Sequence, residues 1–202
     1  GYALATQVDT DLHSLATGLG SAGTSSSTYL NNGGTFFINN GASTLTTYVA
    51  DTVVAADIFT DGGFRALIQK MDDNDVPMDG RSFIIPPSVR NTIMGIDRYV
   101  SSDFVNNGKV TGGQIGELYG IDIFVSTNCP VVETAGNNSA SSIDSLGALL
   151  LHRDALTFAE QVGVRSQTQY KQEFLANLFT SDTLYGTAVL RPEAGLTLVV
   201  PK

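Results

Sequence analysis

The sequence predicts an α+β domain, and three observations carry that prediction. Stretches with helical spacing and stretches with strand spacing are intermixed, with no regular βαβ alternation. The chain is long enough for a core of its own, since 202 residues bury roughly 70% of the unfolded surface on folding. Apolar residues are 42% of the chain but charged residues only 15%, against about 25% in an average protein. Gly, Ser, Thr and Asn fill the difference, which favours turns and short strands. A surface so short of charge either sits in water as neutral polar loops or is covered by something.

The elements follow in order. Leu4, Val8, Leu12 and Leu15 recur at helical spacing, with Gln7, Asp9, Thr10 and Asp11 off that stripe. This predicts a helix over residues 2–17. No capping residue precedes Tyr2, so it reads as the end of a longer helix whose upstream part is not represented. No Asp, Glu, Lys or Arg occurs from Leu12 to Ala50. Residues 18–47 therefore read as loops with a short strand at 35–38, and 48–54 is a second, weaker strand candidate. Phe64, Leu67, Ile68 and Met71 then form a helical stripe. Gly62 and Gly63 weaken its first turns by about 1 kcal/mol each. The helix should stop near Asn74, because Val76 precedes Pro77 and is pushed to an extended conformation.

Residues 81–85 read as a strand. Pro87 starts a helix where its missing N–H does no harm, and Val89, Ile93, Met94 and Ile96 supply the apolar side. Residues 108–120 are Gly-rich and turn often. Ile121, Ile123 and Val125 alternate with Asp122, Phe124 and Ser126, as in a strand. Residues 129–145 read as a polar loop. Strands are expected at 148–152 and 157–161 around a turn at 153–156. Periodicity leaves 170–180 open between a helix and a long strand. Strands at 187–190 and 196–200 close the chain around a turn at 192–195.

Composition and motifs exclude several function classes. The net charge of -9 argues against a nucleic-acid-coating surface, which needs clustered Lys and Arg. Apolar runs such as Ala148 to Leu151 are far too short to span a bilayer. No charged n-region, apolar h-region and cleavage site stand at the start. The single cysteine, Cys129, makes no internal disulfide, which favours a reducing compartment. Asn137-Asn138-Ser139 fits a glycosylation sequon but reads as a chance match in a Ser/Asn loop. Gly18-Leu19-Gly20-Ser21-Ala22-Gly23 matches G-x-G-x-x-G, yet a helix precedes it and a Ser/Thr run follows, the reverse of a dinucleotide site. Asp72-Asp73-Asn74-Asp75 with Asp79-Gly80 fails as an EF-hand, because Pro77 and Pro86 fall where oxygen ligands are required. Those acids sit at the unfavourable end of a helix dipole, so another contact should use them. The histidines, His13 and His152, lack zinc-protease spacing, and no G-x-S-x-G is present. Cys129 with His152 is the one conceivable thiol–imidazole pair. His152-Arg153-Asp154 shares three letters with the kinase H-R-D and nothing else. The aromatics fall at core periodicity. No catalytic, cofactor or metal residue is assigned.

Four segments in order over about 130 residues resemble one family. Val76-Pro77-Met78-Asp79-Gly80-Arg81-Ser82-Phe83-Ile84-Ile85-Pro86-Pro87 is similar to the "V-P-x-x-G-R, strand, Pro, helix" segment of major capsid proteins of tailed bacteriophages, which share the HK97-type fold. Gly113-Gln114-Ile115-Gly116-Glu117-Leu118-Tyr119-Gly120, with the strand to Ser126, resembles the family's "G-x-I-G-x-x-x-G-strand-S" element. The strand Leu149 to His152 and the ending Tyr185-Gly186-Thr187-Ala188-Val189-Leu190-Arg191-Pro192-Glu193-Ala194 match later family segments. The resemblance is closest to short-tailed, podovirus-like phages.

The resemblance implies an HK97-type subunit. Residues 1–56 would hold the end of the spine helix with polar loops and short strands of the peripheral domain. Residues 57–161 would form the axial domain, and 162–202 would return to the periphery. The N-arm and extended E-loop would lie upstream of Gly1 and are missing here. Function would be structural, not enzymatic: a virion subunit, assembled in the bacterial host cytoplasm, that builds hexamers and pentamers of an icosahedral head around double-stranded DNA. Partners would be further copies of the chain, with scaffolding, portal or decoration proteins, and neither a membrane nor a sequence-specific nucleic acid. No cofactor is implied. Residues 101–116 and 127–145 are the candidates for lining the capsomer axis. The alternatives are an encapsulin-like compartment shell, a small hydrolase using Cys129 and His152, and an adhesion module.

Overall fold

A computed structural model gives the structure of the chain and describes residues 2–19, 36–39, 45–49, 53–96, 99, 117–133 and 143–202. Two apolar runs set its centre. Strands β7 (Ser145–His152) and β10 (Gly195–Pro201) pair antiparallel along seven residues, from Gly195 beside Leu151 to Pro201 beside Ser145. Neither alternates apolar with polar, because both faces are covered. Leu198 and Val200 belong to one buried cluster and Val199, between them, to another. Successive strand residues point to opposite faces, so a strand covered on both sides reads as continuous Leu and Val.

Among the described residues the remaining strands flank this pair in one mixed sheet of eight. Its order is β2 (Leu45–Thr47), β1 (Phe36–Asn39), β10, β7, β3 (Arg81–Ile85), β5 (Ile121–Val125) and β4 (Glu117–Leu118), with β6 (Val131–Glu133) paired to β7 off that path. β1–β10 and β3–β5 are parallel and the other pairs antiparallel. The sheet takes strands from all three segments expected above.

Helices α2 (Asp61–Asp73) and α3 (Pro87–Met94) bury Phe64, Leu67, Met71, Val89 and Ile93 in the larger cluster with Phe83, Ile85, Ile121, Ile123 and Leu150. Phe59, Phe64 and Phe83 pack with ring centroids 4.8–6.0 Å apart. Burying each such ring contributes roughly 2–3 kcal/mol. Thr60 caps α2, its hydroxyl accepting from the Gly63 N–H at 3.2 Å. A Cβ on Gly63 would lie 3.0 Å from the Asn39 carboxamide. The asparagine donates to Ile58 O at 2.8 Å and Thr60 Oγ1 at 2.7 Å. Gly63 thus gives up helix propensity to let α2 lie against β1.

The segment Val76 to Arg81 has a physical reason for its composition. Arg81 is 3% exposed and its guanidinium makes three hydrogen bonds. Nε donates to Pro77 O at 2.9 Å, and one Nη donates to Val76 O at 2.5 Å and Asp72 Oδ1 at 2.6 Å. The acid at the unfavourable end of α2 is therefore the counter-ion of a buried arginine. Gly80 turns the chain at φ +79, a left-handed conformation that glycine adopts without strain.

Several elements differ from the sequence reading. Helix α1 ends at Ser14 and continues as a short 3-10 turn, Leu15–Gly18. Its apolar stripe is half-buried, and its buried residue is His13. The second short strand is Leu45–Thr47 rather than 48–54, because residues 45–47 find the edge of β1 while Tyr48 turns into the smaller cluster. The expected polar loop 129–145 contains β6, which uses Val131 and Val132 to extend the sheet. Residues 170–180 are neither one helix nor one strand. They hold the turn of a long hairpin, whose strands β8 (Leu156–Lys171) and β9 (Ala176–Val189) far exceed the expected 157–161 and 187–190. The sequon, most of the G-x-G-x-x-G run and the axis candidate 101–116 lie outside the described residues, as does much of 127–145.

Candidate assembly surface

The hairpin is the most exposed part of the described structure. Its two strands form a separate two-stranded sheet, registered from Leu156 beside Val189 to Lys171 beside Ala176. At about 3.3 Å per residue the 16 residues of β8 extend roughly 50 Å. Among the described residues only the base is seated. Leu156 and Val189 pack against the core, and the N–H groups of Leu190 and Arg191 both donate to Ala155 O. Phe158 and Tyr185 stack with centroids 5.5 Å apart, and the Tyr185 hydroxyl donates to Asp11 on α1. That carboxylate raises the tyrosine's pKa, because ionised tyrosine would lose the bond and gain a like charge. Helix α1 therefore braces the hairpin base on one side. On another side the His13 ring bonds Asn128 O at 2.5 Å.

Beyond Tyr185 the register shifts twice, between Glu160 and Val162 and between Val162 and Arg165. Such bulges bend a strand and raise its twist. Past them, Arg165 and Asp182 form a cross-strand ion pair at 2.6 Å, and otherwise the shaft is Ser, Thr and Gln. The tip is different. Tyr170, Phe174, Leu175, Leu178 and Phe179 are 56%, 76%, 81%, 46% and 67% exposed. Leu175 also has φ +47, a conformation that a bulky side chain adopts at a cost. Sequence reasoning missed this element. A signal was present, since Phe158, Val162, Val164 and Tyr170 share strand parity, but intervening polar residues on every side hid it.

Of the residues weighed for chemistry, Cys129 and His13 line one cleft, and His152 is not among its lining residues. Cys129 lines a cleft of about 480 Å³ with His13, Ala16, Phe36, Pro130 and Val132. Its thiol points to Ser126 O at 3.4 Å, and burial pushes its pKa up to about 11, so it stays protonated at neutral pH. His152 Nε2 bonds Asp79 O at 2.9 Å, and its Nδ1 accepts from the Asp154 N–H at 3.2 Å. Both ring nitrogens of His152 thus have partners other than Cys129. Among the described residues no group of three or more His, Cys, Asp or Glu is placed to hold a metal. No helix among them is long and apolar enough to cross a membrane.

The flanks of the axis candidate 101–116 do meet. The Tyr99 and Tyr119 hydroxyls both donate to Asp61 Oδ1, the second at 2.6 Å, while Arg65 holds Asp61 Oδ2 at 3.0 Å. Burial and the neighbouring carboxylate raise the Tyr99 pKa.

No family model matches the sequence, and no curated protein does. Solved structures do. The capsid structure of cyanophage P-SCSP1u is 17% identical with a TM-score of 0.65, over 99% of this chain and 63% of that one. A structure of Mycobacterium phage Che8 is 19% identical with a TM-score of 0.63, over 98% and 59%. The mature capsid of bacteriophage PhiM1 is 19% identical with a TM-score of 0.65, over 99% and 62%. The chain thus spans about 60% of the length of these chains. At such identities the likeness is one of fold.

Proposed function

We propose, from the premise that the chain has the HK97-type fold of tailed-bacteriophage capsid proteins, that it is the major capsid subunit of an icosahedral phage head. The observation that carries this reading is the fold match, which extends over nearly the whole chain. The exposed hairpin supports it. A two-stranded hairpin is at best marginally stable alone in water, so one extending roughly 50 Å suits a protein that meets neighbours. The low charge fits as well, because neutral polar loops can be buried between subunits at less cost than charges. A net charge of -9 would keep packaged DNA from sticking to the wall.

On this reading the subunits form hexamers and pentamers, in which each copy offers two different patches to its neighbours. Helix α1 and the hairpin belong to the periphery of the subunit, and residues 57–161 supply most of the axial part. The role is structural. Burial keeps Cys129 protonated and both ring nitrogens of His152 have other partners, which supports a structural role over a hydrolase built on that pair. The virion is the proposed location, with assembly in the host cytoplasm. Sedimentation of the purified full-length protein tests the proposal. Capsomers or shells are expected, and a monodisperse monomer at high concentration would overturn it.

A further inference from the structure

We infer that His152 is a proton-operated switch at the seat of the β8–β9 hairpin. The inference goes beyond the shell reading and holds for the chain whether or not it assembles. The imidazole is 2% exposed, and its partners fix its form. A carbonyl oxygen can only accept, so Nε2 carries the hydrogen that it donates to Asp79 O at 2.9 Å. Nδ1 accepts the Asp154 N–H at 3.2 Å, so it carries none. The resting ring is therefore neutral and held in one tautomer.

A second arrangement is built in beside the first. The Asp154 carboxylate places Oδ2 3.5 Å from the same Nδ1. A protonated Nδ1 can no longer accept from an N–H and must donate. The acceptor at hand is Asp154 Oδ2, so proton uptake exchanges the backbone of Asp154 for its side chain. A buried imidazolium without a partner is costly, and this carboxylate supplies one. The other charges around the ring are Arg81, beside His152 in register on β3 and paired with Asp72, and Asp79 and Arg153 in the flanking turns. Arg153 Nε lies 3.9 Å from Asp154 Oδ1, which leaves Oδ2 on the histidine side.

The turn that would be reset is the one that seats the hairpin. His152 ends β7 and Leu156 opens β8. Between them, the Arg153 N–H donates to Gly80 O at 3.1 Å and the Ala155 N–H to His152 O at 2.9 Å. Ala155 O accepts from the Leu190 N–H at 2.9 Å and the Arg191 N–H at 3.3 Å. Asp154 stands between these two knots, so turning its N–H away from the ring disturbs both. The ordinary titration of histidine falls between about pH 5 and 8. The chain has two histidines, and His13, on α1, supplies the control.

Hydrogen exchange of the full-length protein tests this, followed by mass spectrometry from about pH 7.5 to 5 and corrected for the intrinsic pH dependence of exchange. Protection at Asp154, Leu190 and Arg191 should fall roughly tenfold or more across that window. His152→Gln can still donate to Asp79 O but takes up no proton, and its profile should be flat. Asp154→Asn keeps the backbone N–H and the neutral arrangement but removes the carboxylate. It should fold like the parent and lose protection only at lower pH. His13→Gln should keep the parental profile. A flat parental profile would overturn the inference, as would an unmoved midpoint in Asp154→Asn. A loss that persists in His152→Gln, or vanishes in His13→Gln, would assign the proton to another group and overturn it too. None of these results depends on shell formation, so failure here leaves the shell reading standing.

Discussion

Arg81 is a buried charged residue that ties helix α2 to strand β3. Its guanidinium satisfies two carbonyls and a carboxylate at the junction of α2 and β3. Arg81→Met keeps the volume but leaves the Val76 and Pro77 carbonyls without that donor, at ~1–3 kcal/mol for each buried group left unpaired. Chemical denaturation should show a loss of about 3 kcal/mol or more. Arg81→Lys should recover only part, since an ammonium cannot reproduce the planar fork. Cys129 gives a pH signature. Its folded pKa is raised from 9.0 to about 11, so the native state holds the proton longer than the unfolded one. Its contribution is complete below pH 9 and is lost as pH rises through 11. Denaturation midpoints should therefore fall across that window, and the Cys129→Ser variant should lack that part of the fall.

At the scale of elements, what could be read from the sequence follows what the local pattern encodes. Residues 81–85, the Pro87 helix and the end of α2 before Val76-Pro77 were legible, because proline geometry and alternation act within a few residues. Gly63 lowers helix propensity, as the sequence suggests, but its use in packing is not legible there. Its role depends on Asn39, which lies 24 positions away in sequence and beside it in space. β6 was read as loop because Val131 and Val132 are too short a run to announce a strand without the β7 edge. The hairpin was missed because neither face of its shaft is buried, so no burial pattern marks its period. That same exposure predicts its independence. Replacing residues 163–183 by a tight turn should leave the thermal unfolding of the sheet within a few degrees of the parent. The same change should abolish assembly. A collapse of the sheet would show that the hairpin supports the fold itself.

For the whole molecule, the low charge noted at the outset acquires a place. The described fold is similar to that of solved phage capsid structures, and exposed apolar residues gather at the tip of its hairpin. With a net charge of -9, copies repel, and salt screens that repulsion over about 10 Å at 0.1 M. Assembly should therefore strengthen between about 0.05 and 0.5 M salt, read as a lower critical concentration in light scattering. A contact built on ion pairs would weaken instead. The candidate surface could not be found by searching for chemistry, since its residues are ordinary apolar ones set apart only by where the hairpin carries them. The most direct measurement is electron cryomicroscopy of the purified full-length protein under assembly conditions. The account predicts closed particles with hexamers and pentamers on an icosahedral lattice, each subunit matching this fold. Monomers alone, or a folded enzyme domain in place of shell contacts, would contradict it.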